Sequence, residues 1–124
     1  MAAAERVLSI GQCGFDSSAI RRMFQDQFGA DVDDADSEDE ARSLLASRTY
    51  ALVLVNRQLD ADGSSGIDLI ADLLADSPDT PMMLVSNFAE AHAEAQSRGA
   101  RPGFGKRDLN AAATAALLRP YFRE

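Results

Sequence analysis

The chain has 124 residues, a formal net charge of −8 at pH 7, one cysteine and one histidine. This length suits a single domain, and the acidic balance argues against binding to nucleic acid, which depends on clustered Lys and Arg. The composition excludes a zinc site built from His and Cys, and no apolar run approaches the ~20 residues of a membrane helix. Since no signal peptide is visible and Cys13 has no disulfide partner in the chain, we expect a cytoplasmic protein.

The first half of the chain alternates strand and helix signals. Residues 6–10 form a short apolar run that is typical of a buried strand, and residues 31–35 predict a weaker second strand. Between them, the polar residues 16–18 supply N-cap chemistry for a helix that Gly29 ends. Ser37, three residues before a glutamate, predicts the cap of a second helix.

The strongest strand signal in the second half is the run 50–55, Tyr-Ala-Leu-Val-Leu-Val. Because this run is apolar on both faces, it predicts a central strand of a parallel sheet. The further predicted elements are a helix after the loop 60–66, a strand over 81–85, a helix over 89–98, a brief strand near Phe104 and a helix from Asp108 to about Tyr121.

Five strands that alternate with five helices predict an α/β domain with helices on both faces of a parallel sheet. In such sheets, ligands bind beyond the carboxyl ends of the strands. We therefore expect a functional site among the residues that follow those ends, namely 11–13, 56–58, 86–87 and 105–106.

Four segments near these strand ends resemble the receiver domains of two-component response regulators: residues 50–56, 66–70, 81–86 and 99–106. The resemblance implies a flavodoxin-like, doubly wound sheet of five parallel strands in the order 2-1-3-4-5, with five helices. It also implies one receiver-like domain over residues 1–124, with a core over about 6–121. Because this length leaves no room for an attached output domain, we expect the output to come from a protein partner in a signalling pathway.

The resemblance also predicts that the phosphorylation chemistry is lost. Working receivers carry an acidic pair after the first strand, a phosphoacceptor Asp after the third, Ser or Thr after the fourth and Lys after the fifth. Here the acidic pair falls on Gly11 and Gln12 and the acceptor on Asn56, whereas Ser86 and Lys106 match. An amide is a very poor nucleophile, and proteins usually hold Mg²⁺ with carboxylates. We therefore predict a pseudo-receiver without cofactor, Mg²⁺ or enzymatic activity.

Other positions also depart from the receiver pattern. The usual aromatic switch residue falls on Gly103, and Arg107 stands where a Pro normally follows the Lys. The loop after the third strand is about two residues longer than usual, so a shifted alignment would make Asp60 or Asp62 the acceptor. A small phosphoryl-transfer enzyme is the other alternative, with Cys13 as nucleophile, because a thiol near a helix N-terminus can acquire a lowered pKa.

The missing carboxylates would leave Lys106 without its usual partners. An unpaired ammonium in the crevice predicts binding of a small anion, and hence a small-anion sensor as a further alternative function. Otherwise the ammonium extends to water or pairs with Asp16 or Asp60. The side chains of the predicted anion site are those of Lys106, Ser86, Gln12 and Asn56.

The last predicted helix carries two stripes at helical spacing. The stripe predicted to face the core comprises Leu109, Ala112, Ala113, Ala116, Leu117 and Tyr121. The stripe left as a possible interaction face comprises Ala111, Thr114, Ala115 and Leu118. Because receivers usually signal through the fourth helix, fifth strand and fifth helix, this face is predicted to bind a protein partner or to form a homodimer.

Overall fold

In the computed structural model, which describes residues 5–122, strands and helices alternate along the chain. The strands are β1 (Arg6–Ile10), β2 (Asp31–Ala35), β3 (Leu52–Asn56), β4 (Met82–Val85) and β5 (Arg101–Phe104). The α-helices are α1 (Gly14–Phe28), α2 (Glu38–Ser47), α3 (Gly66–Asp76), α4 (Ala89–Ser97) and α5 (Ala112–Leu118). The strands pair in parallel in the order β2-β1-β3-β4-β5, so the predicted flavodoxin-like fold is confirmed.

Two apolar layers hold the helices against opposite faces of the sheet, because successive side chains of a strand point to opposite sides. One layer joins Leu8 and Val53 to helices α2, α3 and α4, and the other joins Val7 and Leu54 to helices α1 and α5. Residues 52–55 of β3 are fully buried, as predicted for a central strand. None of the helices within residues 5–122 is long and apolar enough to cross a bilayer.

Local signals fix two helix ends as predicted. Gly29 ends α1 with a φ of 61°, in the left-handed region that glycine adopts without strain. At the start of α2, the Ser37 hydroxyl accepts a hydrogen bond from the Glu40 amide at 3.2 Å, and the Glu40 carboxylate accepts one from the Asp36 amide at 2.7 Å. The hydrogen bond to the Ser37 hydroxyl confirms the predicted cap.

The start of α1 differs from the prediction. The helix begins at Gly14, and the Cys13 sulfur caps it by accepting from the Asp16 amide at 3.5 Å. Residues 16–18, predicted to cap the helix, lie inside its first turn instead. The connection after β1 is shorter than the sequence suggested, and Gly11 within it adopts a left-handed φ of 78°.

The last helix is also shorter than predicted. A 3₁₀ turn at Lys106–Asp108 precedes α5, and a second 3₁₀ turn at Arg119–Tyr121 follows it. Pro120 accounts for the early end, because it lacks an amide hydrogen and its ring collides with the preceding helical turn.

The orientation of α5 contradicts the predicted stripes. Thr114 and Leu118 are 4% and 0% exposed, so the interaction face predicted from Ala111, Thr114, Ala115 and Leu118 is wrong in its two larger members. Of the predicted core stripe, Leu109 is buried and Leu117 and Tyr121 are partly buried against the layer of α1 and α5, whereas the three alanines face solvent: Ala112, Ala113 and Ala116. Alanine buries little apolar area, so the larger Leu118 determines which side of the helix faces the sheet.

Candidate functional site

The predicted site residues gather at the carboxyl edge of the sheet. Gly11 and Gln12 follow β1, Asn56 ends β3, Ser86 follows β4, and Lys106 comes two residues after β5. Parallel strands place all these ends on one side of the molecule. A cavity of about 190 Å³ is lined by Asn56, Ser86 and Lys106 but not by the two residues after β1.

Leu59 occupies the space beside Gly11. A Cβ atom on Gly11 would lie 2.5 Å from Leu59 Cγ and 3.0 Å from Leu59 Cα, closer than real side chains approach. Leu59 is only 3% exposed and belongs to the same apolar layer as Leu8 and Ile10. Gly11, which the sequence resemblance aligned with the first carboxylate of the acidic pair, is therefore packed against a leucine.

Hydrogen bonds fasten the loop that carries Leu59 to the end of β1. The Gly11 carbonyl accepts from the Asp60 amide at 2.9 Å and from Asn56 Nδ2 at 3.0 Å. Within the loop, the Leu59 amide donates to the Ser64 carbonyl at 2.9 Å. The Asn56 amide is thus a structural donor that connects β3 to β1.

The two acidic residues of this loop do not line the cavity. Asp62 accepts from the Ser64 amide at 2.9 Å and from the Ser64 hydroxyl at 2.7 Å, and these hydrogen bonds hold the pKa of the Asp62 carboxyl below its ordinary value. Asp60 is exposed, and its backbone amide is the group that contacts the end of β1.

Lys106 has a carboxylate partner in Asp16, which contradicts the unpaired ammonium of the predicted anion site. The Lys106 Nζ atom lies 2.9 Å from Asp16 Oδ2. Burial alone would raise the pKa of Asp16. The hydrogen bond and charge of Lys106, together with a hydrogen bond from Cys13, outweigh burial and lower it below 3.8. The alternative of an ion pair with Asp16 is the correct one.

The other predicted polar side chains have different surroundings. The Ser86 hydroxyl accepts from the Phe88 amide at 3.1 Å, and the Ser86 carbonyl lies 2.7 Å from His92 Nε2. Gln12 is 7% exposed, and neither polar atom of its side chain has a hydrogen-bond partner among the described residues. Cys13 is partly exposed and serves as the cap of α1.

Gly103 occupies the position of the usual aromatic switch and allows β5 to approach β4 closely. A Cβ atom there would overlap the Leu84 carbonyl and lie 3.1 Å from Cε1 of His92. Any larger residue would therefore have to displace backbone, and the His92 ring of α4 covers this part of β5.

The residues at this edge do not fit Mg²⁺. This hard cation prefers oxygen ligands, mostly carboxylates in proteins. Gly11 offers no side-chain ligand and is packed against Leu59, the Asn56 amide is bound to a carbonyl, and Lys106 adds a positive charge. Within residues 5–122, no three His, Cys, Asp or Glu side chains come together in a way that could hold a metal ion.

Comparison with known proteins identifies the fold. No protein-family model and no curated protein matches the chain. A response regulator from Thermotoga maritima superposes with a TM-score of 0.79 and 19% identity, covering 96% of this chain and 98% of that one. The receiver domain of NtrX from Brucella abortus superposes with a TM-score of 0.73 and 20% identity, covering 90% of this chain and 97% of that one. The chain spans 28% of a longer NtrX structure, at a TM-score of 0.78 and 19% identity.

The fold is therefore that of response-regulator receiver domains, as the sequence resemblance implied. The residue that sequence analysis missed at this edge is Leu59. Its signal was the one large apolar residue in an otherwise mostly polar loop of unusual length. The contact with Gly11 joins residues 48 positions apart, which no local pattern reports.

Proposed function

We propose that this chain is a pseudo-receiver, a cytoplasmic signalling module that binds a protein partner without being phosphorylated and without catalysing a reaction. The observation that carries the proposal is the Asn56 amide at the end of β3, which donates to the Gly11 carbonyl at 3.0 Å. An acceptor must present a free carboxylate to phosphorus. The Asn56 side chain has no charge and already serves as a structural donor.

The charges near Asn56 support the same proposal. Phosphoryl transfer depends on cations that neutralise charge on the transferred group. Lys106 matches the lysine of the receiver pattern, but its charge is already neutralised by Asp16 at 2.9 Å. With a leucine beside Gly11 and an amide at position 56, neither of these two positions supplies a carboxylate as nucleophile or as metal ligand.

The surface proposed for the partner is the cleft between α4 and α5, beside β5. Its volume is about 750 Å³, and alanine and glycine residues form part of its lining. The face corresponds to the one through which receivers usually signal, and a homodimer through it belongs to the same proposal. Residues lining the cleft include His92, Gly103, Arg107, Ala113, Thr114 and Leu117.

A backbone-amide NMR titration of the whole chain tests the proposal, first with Mg²⁺ and then with added acetyl phosphate. The resonances to follow are those of Gly11, Asn56, Ser86 and Lys106. We expect no saturable shift and no phosphorylated species by intact-mass spectrometry, whereas a working receiver run in parallel should show both.

Two results would contradict the proposal. A saturable Mg²⁺ shift with a second, slowly exchanging set of peaks would show that this edge accepts phosphate. Phosphate located by peptide mapping on Asp60, Asp62 or Cys13 would identify a displaced acceptor or a phosphoryl-transfer enzyme.

A further inference from the structure

The pairing of β5 with β4 shifts register beside Gly103. While β4 advances by two residues, from 83 to 85, β5 advances by three, from 101 to 104, so β5 carries one residue more than its partner here. A Cβ atom on Gly103 would overlap the Leu84 carbonyl. Because this overlap is with backbone, position 103 accommodates no side chain, and a side chain that joins α4 to β5 at this point must come from another residue.

His92 of α4 supplies that side chain. Its ring is partly buried, and Cε1 lies 3.1 Å from the place where a Cβ atom of Gly103 would be. Its Nε2 atom lies 2.7 Å from the carbonyl oxygen of Ser86, the residue that follows β4. A carbonyl only accepts hydrogen bonds, so the ring carries a proton on Nε2 and donates it. One side chain of α4 thus binds the end of β4 and covers β5.

The short connection between β4 and α4 is attached at three further points. The Ser86 amide donates to the Phe104 carbonyl of β5 at 3.0 Å, and the Ser86 hydroxyl accepts from the Phe88 amide at 3.1 Å. The Asn87 side-chain oxygen accepts from the Arg107 amide at 3.1 Å, in the 3₁₀ turn before α5. The serine hydroxyl is therefore already engaged at the start of α4.

We propose that His92 is the positioning residue of the cleft between α4 and α5, because its hydrogen bond to the Ser86 carbonyl holds the start of α4 against β4 and β5 in one arrangement. The bond is made to backbone, so it does not depend on what the Ser86 hydroxyl binds. The surface for the partner is then formed without a preceding signal. This inference rests on the proposed function, since it concerns the same cleft, and it adds the residue that keeps the cleft formed.

The competing explanation is that the His92 ring only fills space beside Gly103. Two substitutions separate the hydrogen bond from packing. His92→Leu keeps an apolar side chain but has no donor, whereas His92→Gln keeps an N–H donor on a side chain of similar reach. Gln96→Leu is the matched control, because it places a leucine at an exposed position one turn further along the same helix.

The test follows hydrogen exchange at the Ser86 amide and the NMR relaxation dispersion of α4, which reports motion on the microsecond to millisecond scale. In His92→Leu, we expect exchange at this amide to be on the order of tenfold faster than in the wild-type chain, because its residue loses a bond to α4. We also expect dispersion in α4. The wild-type chain, His92→Gln and Gln96→Leu should show flat dispersion and exchange rates within about twofold of one another.

A second amide distinguishes local opening from a general loss of stability. The Val53 amide of the central strand donates to the Pro81 carbonyl at 2.9 Å and is remote in sequence from α4. In His92→Leu, exchange at Val53 should change much less than exchange at Ser86.

A measurement on the unchanged chain requires no variant to fold. His92 is the single histidine of the sequence, so a ¹⁵N–¹H correlation spectrum of the imidazole reports this ring alone. We expect the neutral ring to carry its proton on Nε2. A neutral ring with its proton on Nδ1 would overturn the inference, because Nε2 could then not donate to the Ser86 carbonyl.

The variants can overturn the inference in three ways. Wild-type exchange and flat dispersion in His92→Leu would leave the ring a packing role alone. Acceleration in His92→Gln as large as in His92→Leu would show that a donor at this position is not what matters. Equal acceleration at Ser86 and Val53 would indicate general loosening. Phosphorylation of the wild-type chain by acetyl phosphate would instead contradict the proposed function, so the two failures are distinguishable.

Discussion

Single residues at the carboxyl edge find their polar partners within the chain. Lys106 retains the cation of the receiver pattern, but its partner is Asp16 from the first turn of α1. Asn56 keeps the shape of an aspartate and uses its amide to donate to a carbonyl, which a carboxylate cannot do. Each substitution therefore requires a new partner nearby, and the structure supplies one.

Replacing Lys106 with Met should remove the cause of the lowered pKa of Asp16. Since that pKa lies below its unfolded value, the pair stabilises the fold above about pH 4 and loses this effect as the pH falls through the folded pKa. Both side chains are partly exposed, so we expect a loss of about 0.5–1 kcal/mol at pH 7 that shrinks towards pH 3.

Urea unfolding of the wild-type chain and Lys106→Met between pH 7 and pH 3 measures this effect. Arg107→Met is the control, because the exposed Arg107 forms no ion pair within residues 5–122. If the difference in the free energy of unfolding between the wild-type chain and Lys106→Met stays constant over this pH range, ionisation of Asp16 does not account for the stabilisation by Lys106.

At the scale of elements, α5 shows where a helical pattern fails to specify orientation. In a stretch dominated by alanine, several faces have nearly equal hydrophobicity, and the pattern cannot choose among them. The choice depends on Leu118 and Phe122, which fill the layer against Phe24 of α1. The Phe24 and Phe122 rings lie 5.7 Å apart, a contact between residues that are distant in sequence.

Two substitutions in α5 test the observed orientation. Leu118→Ala should lower the free energy of unfolding by about 2–5 kcal/mol, because it empties part of a fully buried site. Ala113→Arg, on the face that the sequence assigned to the core, should cost less than about 0.5 kcal/mol.

Urea denaturation measures the free energy of unfolding of both variants. A larger loss of stability in Ala113→Arg than in Leu118→Ala would show that α5 is rotated relative to the structure. Because Ala113→Arg is expected to fold, it also tests the proposed homodimer. If the chain forms a dimer through the cleft between α4 and α5, the Ala113→Arg variant should sediment as a monomer.

At the scale of the whole molecule, the alternation of strand and helix patterns predicted a parallel sheet covered on both faces, and the family resemblance supplied its strand order. The continuous apolar run of β3 identified the central strand, and the strand ends placed Asn56 and Ser86 at one edge. The start of α1, the orientation of α5 and the position of Leu59 were missed. Each of these depends on contacts across the fold or on a turn made by one glycine, which local periodicity does not encode.

Global stability should also depend on Tyr50, which is 5% exposed and donates to Asp33 at 2.7 Å. Burial and this hydrogen bond raise the pKa of Tyr50 to about 12. In the unfolded chain Tyr50 loses its proton near pH 10. Its contribution to the free energy of unfolding is therefore complete below pH 10 and is lost as the pH rises towards 12. We expect a loss of about 2–3 kcal/mol between pH 9 and pH 12.

Chemical unfolding at pH 9 and at pH values up to 12 measures the loss, with Tyr50→Phe and Tyr121→Phe as paired variants. Tyr50→Phe should abolish this alkaline dependence, whereas Tyr121→Phe, at a partly exposed ring, should retain it. If the free energy of unfolding falls equally with rising pH in the wild-type chain and in Tyr50→Phe, groups other than Tyr50 cause the alkaline dependence.

The contact between Leu59 and Gly11 also has an evolutionary consequence. An aspartate that arose at position 11 would collide with Leu59, and the loss of Leu59 alone would cost about 2–5 kcal/mol of a total stability of roughly 5–15 kcal/mol. Either change alone would therefore destabilise the fold, so both positions should be under selection for stability whatever the chain binds.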